Sequence, residues 1–147
     1  MLTVKSVGMT GTRAGLTEMQ KLWLVEFLES TLVNVLHHGD CIGADDQVAS
    51  TFSVAGTYII AHPGNSESLR ANCKKNDLVL PWKANLTRNA DIVNAGSLML
   101  AFPGSQYPIE HSGTWQTINY TKKRKKDLCI VFPNGLVVRN DNNDDAT

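Results

Sequence analysis

The sequence predicts an α/β fold, a doubly wound and mainly parallel sheet with helices on both faces. Three observations carry this. Short apolar runs alternate along the chain with segments of helical periodicity. Most are joined by turns rich in glycine and small polar residues. A repeated strand, helix, strand succession needs right-handed crossovers, which make the strands parallel and cover both faces of the sheet.

Residues 2–9 form an apolar first strand. Thr17 then has the chemistry of a helix N-cap, with Gln20 three residues on as the other half of a capping box. Leu16, Met19, Trp23 and Phe27 fall at helical spacing, with Leu24, Leu28 and Leu32 beside them, giving a broad apolar face to lie on a sheet. Residues 34–40 (NVLHHGD) read as a second strand ending in a polar turn. Ala44, Val48, Phe52 and Ala55 mark a second helix, stopped by Gly56, and residues 57–64 (TYIIAHPG) a third strand. The stretch 65–83 is polar and weakly periodic, which predicts a loop with room for one short helix. Residues 86–95 make the next helix, with Gly96 suited to its C′ position. Residues 97–104 (SLMLAFPG) are a fourth strand. Trp115 and Ile118 open a helix that runs into residues 122–126, and residues 127–135 (DLCIVFPNG) are a fifth strand. Residues 135–139 (GLVVR) are a short edge strand or a hairpin arm. The acidic tail, residues 140–147, is expected to be disordered, leaving residues 1–139 as a single domain without repeats or linkers.

A chain of 147 residues suits one domain with one sizeable core. Basic and acidic residues balance at 14 each, which gives no global drive toward nucleic acid or a membrane. Cys41, Cys73 and Cys129 are widely spaced and odd in number, so they spell neither a disulfide framework nor a metal-binding CxxC pattern. Reduced, mostly buried thiols in a cytoplasmic protein are expected. No apolar run reaches the roughly 18 residues of a membrane helix. The N-terminus lacks the apolar core of a signal peptide. Without a secretion signal, the sequons at Asn85 and Asn119 are chance matches. His37, His38, His62 and His111 lack ligand spacing, and the adjacent pair would point to opposite faces of a strand, so no metal is expected. No cofactor is expected either.

The predicted strand order, 3-2-1-4-5, reverses between the first and fourth strands. Ligands of such sheets bind at that reversal, beyond the carboxyl ends of the strands. The loops facing it span residues 9–16 and 103–113. Four strand-end loops, GMTGTRAG, HHGDCIGADD, AHPGN and EHSGTW, are rich in glycine and small polar residues. Glycine lets backbone N–H groups approach a ligand closely, and a helix start adds unpaired N–H groups and a positive dipole end. Thr10, Gly11, Thr12 and Arg13, with Ser112, Gly113 and Thr114 opposite, are thus candidates to hold a phosphate or carboxylate from two sides. Gly39, Asp40, Gly43, Ala44 and Asp45 in the second loop, and His62 and Pro63 in the third, complete the candidate rim. Asp40 or Asp45 could read a ribose hydroxyl pair, and Asp45 is equally suited to cap the helix that starts near Ala44. Arg88, beside Asn89, stands near a helix start, where the dipole disfavours a cation. It calls for an anionic partner, a ligand phosphate or a protein carboxylate. Neither GxGxxG nor GxxxxGK[ST] occurs, which excludes the dinucleotide fingerprint and the P-loop. The run KKRKK, residues 122–126, holds five of the 14 basic residues. It reads as solvated cations at a helix C-terminus or as a nucleic-acid patch, though one without aromatics to stack bases.

Taken in order, GMTGTRAGLT, HHGDCIGAD, AHPGN, RNADIV, SGTWQTINY and IVFPNG span residues 7–135, and together they resemble the SLOG superfamily of Rossmann-like nucleotide-binding proteins. That superfamily includes the Lonely Guy phosphoribohydrolases, the DNA-processing protein A family and ligand-sensing domains of bacterial defence systems. The sequence looks like its small stand-alone bacterial or phage members. The resemblance implies a receptor or sequestering protein for a nucleotide or nucleotide-derived signal, such as a cyclic nucleotide or ADP-ribose, acting in phage–host defence as a homo-oligomer. A second implied activity is a Lonely Guy-like N-glycosidase acting on nucleoside monophosphates. Arg88 matches the catalytic arginine of those enzymes, and Ser112 to Thr114 match their phosphate-binding turn. Their hallmark glutamate falls on Thr117, which cannot serve as an ionised carboxylate, so Glu110 or Asp45 would have to substitute. The DNA-processing relatives imply a third activity, single-stranded DNA binding through residues 122–126.

Overall fold

The computed structural model describes residues 1–141. The elements run β1 (Leu2–Gly11), α1 (Glu18–Ser30), β2 (Thr31–His38), α2 (Ala44–Val54), β3 (Tyr58–Ala61), a 3-10 turn (Glu67–Leu69), β4 (Leu78–Val79), α3 (Asn85–Ala95), β5 (Leu98–Phe102), α4 (Gly113–Lys123), β6 (Asp127–Val131) and β7 (Val137–Asn140). They build a seven-stranded sheet in the order β4-β3-β2-β1-β5-β6-β7. Every neighbouring pair is parallel except β6 with β7. The centre of this sheet is the expected 3-2-1-4-5 arrangement, with one strand added at each edge.

The additions have local causes. β4 lies in the stretch expected as a loop; its two exposed residues pair with Ile60 and Ala61 at the sheet edge. β7 realises the hairpin alternative for GLVVR, closed by the Phe132 N–H donating to the Leu136 carbonyl (2.8 Å). It takes in Asn140, the first residue of the expected tail; the rest of that tail beyond residue 141 lies outside the described residues. α1 is shorter than its apolar pattern suggests. It ends at Ser30, and Leu32, expected on the helix face, pairs with Thr3 in β2. The β-branched Thr31 and Val33 alternate inward there and favour strand over a further helical turn. α4 stops at Lys123, so the basic run does not continue as helix. Lys125 takes a left-handed φ of 55°, and the Lys126 ammonium donates to the carbonyl of Gly96 (3.2 Å).

Two apolar layers clasp the sheet. One packs Leu24, Val48 and Phe52 of α1 and α2 against Val7, Met9, Leu36, Leu100 and Phe102. The other packs Ile92, Trp115 and Ile118 of α3 and α4 against Met99, Ala101, Leu128 and Ile130. β5 is buried on both faces along its whole length, as a central parallel strand must be. No helix among the described residues is long and apolar enough to cross a membrane.

The capping box forms as expected and does more than start a helix. Gln20 is fully buried. Its Oε1 accepts the Thr17 N–H (2.9 Å), and its Nε2 donates to the carbonyls of Pro103 and Val131 (both 2.9 Å). One side chain thus ties the start of α1 to the carboxyl ends of β5 and β6. Gln20→Leu keeps the volume but strips partners from these backbone groups. It is expected to destabilise the fold by on the order of 3 kcal/mol, read as a lower urea midpoint at unchanged slope.

Candidate functional site

A cleft of about 490 Å³ opens at the carboxyl edge of the sheet, walled by the loops after β1 and β2 and by the first turns of α3 and α4. The loop after β1 is pinned through Thr12. Its N–H donates to the Phe102 carbonyl (3.1 Å), its carbonyl accepts from Gly15 (3.2 Å) and Ala44 (3.0 Å), and its hydroxyl accepts from the Ala14 N–H (3.2 Å). Arg13 is left at the loop tip, exposed and in no ion pair among the described residues.

Ser112 caps α4, accepting the Trp115 N–H through its hydroxyl (3.3 Å). The N–H groups of Gly113 and Thr114 in that first turn have no partner inside the helix and none elsewhere among the described residues. They lie on the cleft wall together with His111, whose φ of 65° is unusual for a residue with a side chain. Thr10, Gly11, Thr12, Arg13, Ser112, Gly113 and Thr114 therefore meet around one cavity.

Arg88 forms the floor. It is only 8% exposed. Its Nη1 donates to the carbonyls of Gly39 (2.7 Å) and His62 (3.2 Å), and its Nε donates to Asn89 Oδ1 (2.7 Å). Nη2 has the Cys41 sulfur at 3.8 Å. It forms no ion pair with a carboxylate among the described residues. Gly39 permits this approach, because a Cβ there would stand 2.6 Å from Nη1 and 2.9 Å from Asp45 Oδ2.

Asp45 is the one carboxylate among the described lining residues. It does not cap α2, whose N-cap is Gly43 with no side-chain bond. Its Oδ2 instead accepts the N–H groups of Gly39 and Cys41 (both 3.1 Å) and so shapes the loop after β2. Burial raises its carboxyl above the ordinary range, against the opposing pull of His38, the Cys41 N–H and Arg88. Burial and Asp45 likewise push the Cys41 thiol up, which disfavours a reactive thiolate there.

Other expected residues lie elsewhere. Asp40 is fully buried with a left-handed φ of 54°, and it is not among the cleft-lining residues. It accepts from Arg70 Nε (2.8 Å), the Cys73 N–H (2.9 Å) and Asn76 Nδ2 (3.2 Å). Burial works to raise its carboxyl, but these bonds outweigh it and hold it below the usual value. Its work is to clamp residues 70–76, so it is not free to read a ribose. Ala44 is fully buried, and Gly43 packs against the Arg13 backbone; both support the cleft from behind. Glu110 is exposed and Thr117 is buried, its hydroxyl donating to the Gly113 carbonyl (2.8 Å); neither lines the cleft. Asn85, Leu86 and Gln116 do line it. Nothing in their sequence pattern marks them, since only the positions of the α3 and α4 starts bring them there.

His62 and Pro63 line a neighbouring pocket behind Arg88. His62 Nε2 shares a hydrogen bond with His37 Nδ1 (2.8 Å). Burial, aided by His37, lowers its pKa from 6.5 to about 4. The unfolded chain therefore binds more protons between these values, and stability from this group falls as the pH drops from 6.5 toward 4. His62→Gln keeps a hydrogen-bonding side chain without the titration. Between pH 7 and about pH 4.5 the wild type is expected to lose more stability than this variant, measured by urea denaturation at both values.

No protein-family model matches the sequence, nor does any curated protein. Among solved structures, the chain is similar to the Moco carrier protein from Chlamydomonas reinhardtii, with a TM-score of 0.59 and 14% identity over 86% of this chain and 75% of that one. It is also similar to the structural-genomics target TM1055, with a TM-score of 0.57 and 14% identity over 84% of this chain and 72% of that one. At this identity the likeness is one of fold, and the chain has a Rossmann-like α/β fold.

Proposed function

We propose that the protein binds a nucleotide or nucleotide-derived signalling ligand at the carboxyl edge of its sheet, as a receptor or sequestering protein of the SLOG type. The observation that carries this reading is the meeting of three anion-seeking groups around one cleft. These are the open first turn of α4, the pinned loop bearing Arg13, and the buried guanidinium of Arg88 with no carboxylate paired to it among the described residues. A helix start supplies directed N–H donors and positive potential, and the Arg88 guanidinium keeps its charge and its Nη2 donors for a phosphate oxygen. Binding without turnover is the better reading. The hallmark carboxylate position holds Thr117, which is bonded to its own helix, and Oδ2 of the lining Asp45 is committed to backbone N–H groups. The broader role, reading or removing a nucleotide signal in phage–host conflict, rests on the superfamily resemblance.

Isothermal titration of the protein with mononucleotides, ADP-ribose and cyclic nucleotides tests this. Saturable binding by at least one of them is expected. No heat of binding from any of them at millimolar concentration sinks the proposal. Incubation of a bound nucleoside monophosphate is expected to release no free base.

A further inference from the structure

The pocket behind Arg88 has a volume of about 410 Å³, inside the usual range for small-molecule sites of about 300–1,000 Å³. It abuts the phosphate-seeking cleft, and Arg88 lines both cavities. Its chemistry differs from that of the cleft. Pro63, Leu80 and Pro81 give it apolar walls, and the His62 ring adds a flat face. Lys83 Nζ pairs with Asp91 Oδ2 at its rim (2.7 Å), which leaves the Arg88 guanidinium as the uncompensated charge among its described lining residues. Arg88 already spends its Nη1 on the carbonyls of Gly39 and His62. The Asn94 amide stands one helical turn from Asp91 and offers both a donor and an acceptor. Its contact with the Tyr120 hydroxyl is long, at 3.4 Å. The His62 ring is neutral at pH 7, because burial and His37 hold its pKa near 4. Apolar walls, a guanidinium whose Nη1 is already hydrogen-bonded and one amide at the edge suit a planar heterocycle, whose π-face a guanidinium attracts.

We propose that this pocket is a second compartment of the same site, so that the preferred ligand is a nucleotide with two ring systems. One nucleoside and its phosphates occupy the cleft, and the second ring occupies the pocket across Arg88. This rests on the nucleotide-binding reading and narrows it from nucleotides in general to two-ring ones.

The test titrates the full chain with AMP as the one-ring probe, and with NAD and cyclic di-AMP as two-ring probes. At least one two-ring probe is expected to bind about tenfold or more tightly than AMP. Asn94→Ala and Leu80→Glu, separately, are expected to remove that advantage while leaving the AMP affinity unchanged. The unchanged AMP affinity also reports that each variant is folded. Two-ring probes that bind no more tightly than AMP overturn this inference alone. So do pocket variants that weaken AMP and the two-ring probes equally. No binding by any nucleotide overturns the nucleotide reading and this inference together.

Discussion

Arg88→Met is expected to weaken AMP binding by about 100-fold or more and to destabilise the protein by about 2–4 kcal/mol. The two effects have separate causes. The guanidinium is buried, and its Nη1 holds the carbonyls of Gly39 and His62, one from the loop after β2 and one from the loop after β3. Methionine fills much of the volume but leaves both carbonyls without a donor, each lost partner costing about 1–3 kcal/mol. The cleft also loses the one buried cation among its described lining residues, and with it the positive charge that meets an incoming phosphate. Loss of one charge-assisted hydrogen bond to a phosphate weakens its binding strongly. Arg88→Lys separates the effects. It restores the charge, but a compact ammonium cannot span both carbonyls and reach a phosphate oxygen at once. It is expected to recover part of the affinity and little of the stability. Titration calorimetry and urea denaturation on the same three proteins measure both quantities.

Gly43→Ala is expected to be the most damaging single-methyl change near the site, destabilising by on the order of 3 kcal/mol or more. Gly43 has a φ of 93°, where a side chain is strained whatever space surrounds it. The space is absent as well: a Cβ there would run into the carbonyl, carbonyl carbon and Cα of Arg13. These are backbone atoms and cannot swing aside. The next residue, Ala44, donates its N–H to the Thr12 carbonyl (3.0 Å), so the loops after β1 and β2 are locked backbone to backbone. Relief of the clash has to move the Arg13 loop. The variant is therefore expected to lose AMP affinity as well as stability, visible as a lower urea midpoint and a weaker titration. A protein of unchanged stability and affinity would mean that the two loops are not packed as described.

Much of this was legible in the residues. The capping box needed only Thr17 and Gln20 at the right spacing, because both partners lie in one turn. The centre of the sheet followed from apolar runs long enough to show their period. β4 was not legible, since two exposed residues have no period and are strand only because β3 offers an open edge. Leu32, four residues after Leu28, fits a helix as well as a strand by its spacing, and only the pairing with β1 decides. At the site, the glycine loops and helix starts were readable because their chemistry is local. Asp40 and Asp45 were not separable by sequence. They share a loop, and only the path of residues 70–76, which gathers Arg70, Cys73 and Asn76 around Asp40, decides which carboxylate stays at the cleft. The same applies to Arg88. An arginine near a helix start suggests an anion, whereas its service to two distant carbonyls is a fact of the fold.

The first turn of α4 and the loop after β1 are expected to hold the phosphate of a nucleotide between them. Backbone amide chemical shifts, followed by two-dimensional NMR as AMP is added to the full chain, test this most directly. Saturable shifts are expected, largest at Gly11, Thr12 and Arg13 on one side and at Gly113, Thr114 and Trp115 on the other. Saturable shifts confined to other parts of the molecule, or none at millimolar AMP, would contradict it.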